Sequence, residues 1–279
     1  MIGWAWTAAQ AAAAAAAVAL FVRGCRRTGR EVVGRALLLA GGLGSLVLAL
    51  SPPVDHVIDA SFTAHMAQHL AMVVVAAPLL VAADPVPSIL AGVASWLRRP
   101  VSSIHRGARG AGVRPPHPAA AFSAHMGALV VWHVPALFDA AVENVGVHTL
   151  EHASFVVTAL WFWAPVLTVR GRRRLTEVGA VAYLVAAGAI CSAIGALLTF
   201  ASSPLYRTYV ARDGAIPALR DQQLAGVLMW VPPGVVYVVV AAVVSWRWLE
   251  NAERGEDVAF AAAAGPVATD GRAARRDVR

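Results

Sequence analysis

The stretch VHTLEHASFVVTALWFWAPVLTV, residues 147–169, runs without a break into RGRRR at 170–174. A helix needs about 20 mostly apolar residues to cross the hydrocarbon core of a bilayer, and this stretch has them. A cluster of arginines directly after such a stretch marks the cytoplasmic end of a span. Working outward, comparable stretches occur upstream at 119–138, 60–83, 32–50 and 4–22, and downstream at 177–200 and 221–248. Proline and glycine breaks separate them, including Pro115-Pro116, Pro85 with Pro87, and Ser203-Pro204. The expectation is an all-α polytopic membrane protein with seven transmembrane helices, residues 1–250 forming one transmembrane domain.

Composition agrees. Of 279 residues, 58% are hydrophobic and 14% charged, with mean hydropathy +0.63, against about 25% charge in soluble domains. Extended disorder, a nucleic-acid-binding module and a disulfide scaffold are all excluded. Cys25 and Cys191 stand far apart and form no CxxC or CxxxC pair. Neither a dithiol redox site nor a thiolate metal loop is therefore expected.

Net charge is +7, and every one of the 23 basic residues is arginine. With the N-terminus outside, twenty arginines fall in inner segments, against Arg207, Arg212 and Arg220 outside. That asymmetry predicts N-out/C-in topology, with the arginine belts also meeting anionic lipid. The first span lacks a positive leader, so a cleaved signal peptide is not expected; Trp4 and Trp6 read as interfacial anchors. Residues 84–118 form a cytoplasmic loop whose VPSILAGVASWLRR portion, 86–99, fits an interfacial amphipathic helix. Residues 251–279 read as a disordered cytoplasmic tail.

Ionisable residues inside spans are costly and therefore functional candidates. His56, His105 and His117 lie in loops, whereas His65, His69, His125, His133, His148 and His152 lie in spans three to five. At 1.5 Å per residue, His65, His133 and His152 each sit roughly 8 Å below the outer ends of their spans. His125 lies far deeper. His65 and His69 share a helical face with Met72, His148 and His152 repeat the four-residue spacing beside Glu151, and Met126 shares a face with His133. Imidazole suits copper and zinc, and thioether sulfur biases a site toward Cu(I). Candidate metal ligands are thus His65, His69, His133, His148 and His152, with Glu151, Asp221, Met72, Met126 and Met229 in support. A methionine in a span is ordinarily packing, and Asp221 serves equally well as an interfacial cap of its own span, the seventh.

His148-Thr149-Leu150-Glu151-His152 also matches the inverted zinc-hydrolase pattern HxxEH, a short motif that leaves an intramembrane metal-dependent hydrolase open. A haem clamped by paired histidines is a further alternative.

Four segments together resemble one family: HMAQHL at 65–70 with APLL at 77–80, WHVPALFDAAVENVGVHTLEHASF at 132–155, WFWAPV at 161–166, and DQQLAGVLMW at 221–230. The set is similar to the CtaG-type cytochrome c oxidase assembly proteins, from about residue 60 to 248. Phe138 stands where members usually carry Tyr, and Ala71 where Leu is common. The resemblance implies a seven-span protein of a bacterial plasma membrane that is not an enzyme. It further implies copper handling for the oxidase, with oxidase subunits or another copper chaperone as partners. By motif position it points to His65, His69, His133, His148, Glu151, His152, Asp221 and Met229.

The arginine count generates a direct test. A reporter fused after residue 170 is expected in the cytoplasm and one inserted near residue 212 outside; the opposite pattern refutes N-out/C-in topology.

Overall fold

A computed structural model describes residues 2–51, 61–95, 103, 116–168 and 174–264. His56, His105, most of the 84–118 loop beyond residue 95, and residues 265–279 of the expected tail lie outside that set. The described residues form helices and no strand, in keeping with a chain that must satisfy its backbone within each segment when lipid surrounds it. In chain order they are α1 (Ile2–Thr28), α2 (Val33–Ala49), α3 (Phe62–Ala83), α4 (Pro85–Gly92) and α5 (Pro118–Trp132). Then come α6 (Pro135–Glu143), α7 (Val145–Leu167), α8 (Glu177–Thr199), α9 (Arg207–Asp213) and α10 (Ala215–Ala264). Among the described residues, five helices are long and apolar enough to cross a membrane, six if the bent pair α5–α6 counts as one span. The apolar helix α2 is shorter, at 17 residues.

Three departures from the sequence expectation have local causes. The expected span 119–138 breaks after Trp132, and α5 and α6 meet at a 77° bend. Pro135 supplies no N–H and pushes Val134 into extended backbone, φ −66° and ψ 123°. The stretch expected at the lipid interface begins instead with α4, which turns back along α1 after the left-handed Asp84, φ 45°. Gly24 and Gly92 let the two backbones touch, and Arg30 clasps the turn through Asp84 at 2.6 Å and Ser88 Oγ at 2.8 Å. Finally, α10 runs on to Ala264, so the expected tail starts as helix. Its Ala- and Glu-containing sequence extends an existing helix, which avoids the nucleation cost.

Side chains tie the helices together where the backbone needs partners. Within α3, residues Ala71–Ala76 form a π-helical turn. Ser45 of α2 donates to the Ala71 carbonyl at 3.0 Å, and the Trp163 indole of α7 donates to the Val73 carbonyl at 2.9 Å. Gln68 donates to the Ala49 carbonyl, joining α3 to the end of α2. Outside the spans, Glu31 accepts from the Gly34 and Arg35 N–H groups at the start of α2, which holds its carboxyl below the usual range. The main core joins α3, α5, α7, α8 and α10 around Phe155, Phe162, Trp163 and Leu184, and a smaller one joins α1 to α2 through Phe21, Cys25 and Leu39.

The most extensive helix–helix contact among the described residues is α8 against α10. A Cβ on Gly226 would stand 2.5 Å from Thr199 Oγ1 and 2.7 Å from the Gly195 carbonyl oxygen. Small residues are what allow such an approach between helices in lipid. Gly44 of α2, by contrast, faces open space. Gly226→Ala is expected to lower stability by about 1–3 kcal/mol through overpacking, while Gly44→Ala is neutral or stabilising. Thermal unfolding in detergent measures both.

Candidate metal centre

Two helix starts build the site. Ser61 caps α3 by accepting from the Ala64 N–H, and Asn144 caps α7 by accepting from the Gly146 and Val147 N–H groups. The first two turns of α3 then carry His65 and His69, and those of α7 carry His148, Glu151 and His152. With four-residue spacing on each helix, both histidine pairs project from one face. Because α3 and α7 face each other, the pairs meet.

The four imidazoles form a closed ring. Centroids are 4.5 Å apart for His65–His69, 5.1 Å for His65–His148, 5.2 Å for His69–His152 and 4.1 Å for His148–His152. One nitrogen from each lies within 4.8 Å of the others. His65 Nε2 and His69 Nε2 stand 3.2 Å apart. Two nitrogens sharing a tetrahedral metal at 2.0–2.1 Å stand about 3.3 Å apart, so this edge already has coordination length. Glu151 enters the same group, its oxygens 3.8 Å from His65 Nε2 and 3.8 Å from His69 Nε2.

Burial makes the arrangement expensive as it stands. Glu151 is 1% exposed, and neither carboxylate oxygen has a hydrogen-bond partner among the described residues. His69 Nδ1 and His152 Nε2 are in the same condition. A buried carboxylate without a partner carries a large desolvation penalty, which a cation held by the surrounding imidazoles would offset. The residue set therefore fits a borderline metal such as copper or zinc. His148 is the one member of the ring that is only partly buried, so it marks the accessible side. Phe138 at 5.1 Å from His65 and Phe155 at 4.8 Å from His69 flank the ring, and the Tyr209 hydroxyl lies 3.5 Å from His65 Nδ1.

The other candidates are sorted by packing. His133 lies outside the four-histidine group, at the α5–α6 break, with Nδ1 2.6 Å from the Leu129 carbonyl oxygen. It shares with His69 and Met229 a small cavity beside the ring, of about 30 Å³. Met72 is fully buried but does not line that cavity. Met126 packs in the core. His125 is buried on α5 against Thr158, at 3.0 Å. Asp221, on α10, is a cap for α3. It accepts from the Phe62 and Thr63 N–H groups at 2.6 and 3.2 Å and from the Ser61 and Thr63 hydroxyls. Sequence reasoning missed Cys191 and Met66 as cavity residues; Cys191 sits on a different helix with no local motif to single it out.

The sequence pattern described as cytochrome c oxidase caa3 assembly factor matches residues 4–251. The chain belongs to this CtaG family. The match reaches residue 4, so α1 and α2 are part of the family pattern as well, beyond the 60–248 stretch on which the resemblance was drawn. Among curated relatives, the chain is 27% identical over 239 residues to an uncharacterized protein of Mycobacterium bovis and equally to one of Mycobacterium tuberculosis. Each alignment takes in 79% of this chain and 35% of the relative, so this CtaG-family chain spans about a third of their length. No solved structure matches it.

Since Asp221 holds the start of the helix that carries His65 and His69, its loss is expected to act first on stability. Asp221→Ala removes two backbone N–H acceptors and is expected to cost about 1–2 kcal/mol. Asp221→Asn, which still accepts, costs less. Thermal unfolding of the purified variants checks the order.

Proposed function

We propose that this chain is a seven-span, N-out/C-in assembly factor of a bacterial plasma membrane that receives or presents copper for cytochrome c oxidase. The observation that carries the proposal is the ring of His65, His69, His148 and His152 closed around the buried Glu151. Family membership supplies the oxidase. The ligand set supports copper as cargo, since imidazole binds it well and the carboxylate offsets its charge. Its partners are oxidase subunits or another copper chaperone.

The seven-span count adds α2 and the bent α5–α6 pair to the five long helices. At 17 residues α2 is at the short end of the spanning range. The arginine distribution supports the orientation, which would put the histidine ring in the outer leaflet. Residues 1–250 then act as one domain, with the remainder as a cytoplasmic extension.

The hydrolase reading is less well supported. A catalytic zinc keeps three protein ligands and one open position, whereas here four imidazoles converge and Glu151 lies between two of them. A haem fits less well still. Imidazole centroids 4.1–5.2 Å apart leave no space for a macrocycle between any neighbouring pair.

Glu151→Gln separates carrier from catalyst. It keeps size and polarity but removes the carboxylate, and is expected to lower copper affinity roughly 10–100-fold. Oxidase activity in cells should fall in part and recover with added copper. His152→Ala should recover poorly or not at all, and His125→Ala should bind copper as the unaltered chain does. A Glu151→Gln chain that binds metal normally yet is wholly inactive would overturn the carrier reading in favour of a catalytic base.

A further inference from the structure

We propose that Tyr209 is a positioning residue for the four-histidine ring, its hydroxyl holding the His65 imidazole so that Nε2 is the atom offered to the cargo ion. The role rests on the carrier reading above and deepens it. Tyr209 belongs to the short helix α9 and is 2% exposed, and its hydroxyl lies 3.5 Å from His65 Nδ1, at the long end of hydrogen-bonding distance. His65 Nε2 stands 3.2 Å from His69 Nε2 and 3.8 Å from Glu151. The two nitrogens of this imidazole therefore meet different partners, one the ligand group and the other the phenol.

A nitrogen that ligates a metal gives it a lone pair, so in a neutral imidazole bound through Nε2 the proton sits on Nδ1. Where water is excluded, that N–H needs an acceptor within the protein. Ligating histidines are commonly held in this manner, by a hydrogen bond from the far nitrogen that fixes both the tautomer and the orientation of the ring. The phenol oxygen of Tyr209 stands where that acceptor is needed. By contrast, His69 Nδ1 is buried without a partner among the described residues. His65 thus has contacts at both ring nitrogens, and His69 at one.

The fold holds the phenol in place from several sides. Asp139 of α6 accepts from the Thr208 N–H at 3.3 Å and from its hydroxyl at 3.0 Å, which seats α9. Gln222 of α10 accepts from the Leu205 N–H at 2.7 Å, just before that helix. The Tyr209 ring packs against Phe62 at 5.6 Å, and the Arg212 guanidinium stands over it at 4.9 Å. Phe62 also meets Tyr206, whose hydroxyl donates to the His133 carbonyl. Two tyrosines of one aromatic cluster thus send their hydroxyls to different places, and of the two it is Tyr209 that reaches an imidazole nitrogen. A phenylalanine would fill the same space, so packing alone does not require the hydroxyl.

Tyr206→Phe is therefore the matched control for Tyr209→Phe. In the full chain in detergent, Tyr209→Phe is expected to weaken copper(II) about tenfold or more, the usual cost of losing such a bond. Tyr206→Phe should leave the affinity unchanged. Pulsed EPR of the copper-loaded chain reads the quadrupole coupling of the non-ligating imidazole nitrogens, which follows their hydrogen bonding; one coupling should shift in Tyr209→Phe and none in Tyr206→Phe. In a His65→Ala background, Tyr209→Phe should cost nothing further. Affinity and spectrum unchanged in Tyr209→Phe, equal losses in the two phenylalanine variants, or an undiminished further loss in the His65→Ala chain each overturns the role of Tyr209 and leaves the carrier reading standing. Zinc(II) affinities of the same chains separate the two claims. A chain that takes zinc but no copper sinks copper carriage, while a zinc loss confined to Tyr209→Phe still supports the positioning role and its absence overturns it. A chain that takes neither ion overturns both. Like thermal unfolding of the two phenylalanine variants shows that lost affinity is not lost fold.

Discussion

A hydrocarbon core offers no partner to an N–H, a carbonyl or a carboxylate, so each polar group carried into it must be answered by another part of the chain. Much of this structure is those answers. Asp221 reaches from α10 to the exposed N–H groups at the start of α3. Trp163 and Ser45 cover carbonyls that the π turn of α3 presents. Asn144 does the same service for the first turn of α7. These bonds fix the ends of the two helices that carry the histidines, and hence the distance between the histidine pairs.

Against that background, Glu151 stands out because it is not answered. The carboxylate lies within 3.8 Å of two imidazoles but hydrogen-bonds to neither. Both of its oxygens are buried without a hydrogen-bond partner among the described residues. His69 Nδ1 and His133 Nε2, on residues that line the neighbouring cavity, are likewise buried without a partner among the described residues. His69 is the one residue that the ring shares with that cavity's lining.

The membrane character and the histidine pairs were legible from one dimension. Residues 147–169 declare an apolar helix and its arginine stop, and the four-residue spacing of 65/69 and 148/152 declares a shared face. Glu151 followed from its place beside His148 and His152. The break at Val134 was less legible, since a proline inside an apolar stretch either kinks or ends a helix. The methionines were legible only in part: Met229 lines the cavity beside the ring, whereas Met72 and Met126 are buried and do not line it.

What the sequence by itself determined was periodic: helical class, apolar length, the charge asymmetry, and which residues on one helix share a face. Those properties depend only on spacing along the chain. Tertiary structure alone decided which faces meet. It brought Glu151 between His65 and His69, assigned Asp221 to a helix more than a hundred residues away, and put Cys191 and Met229 in the lining of one cavity. The reason is that contact between helices in lipid is settled by shape, by small residues such as Gly195 and Gly226 that admit close approach, and by hydrogen bonds between segments. None of these is a function of local spacing.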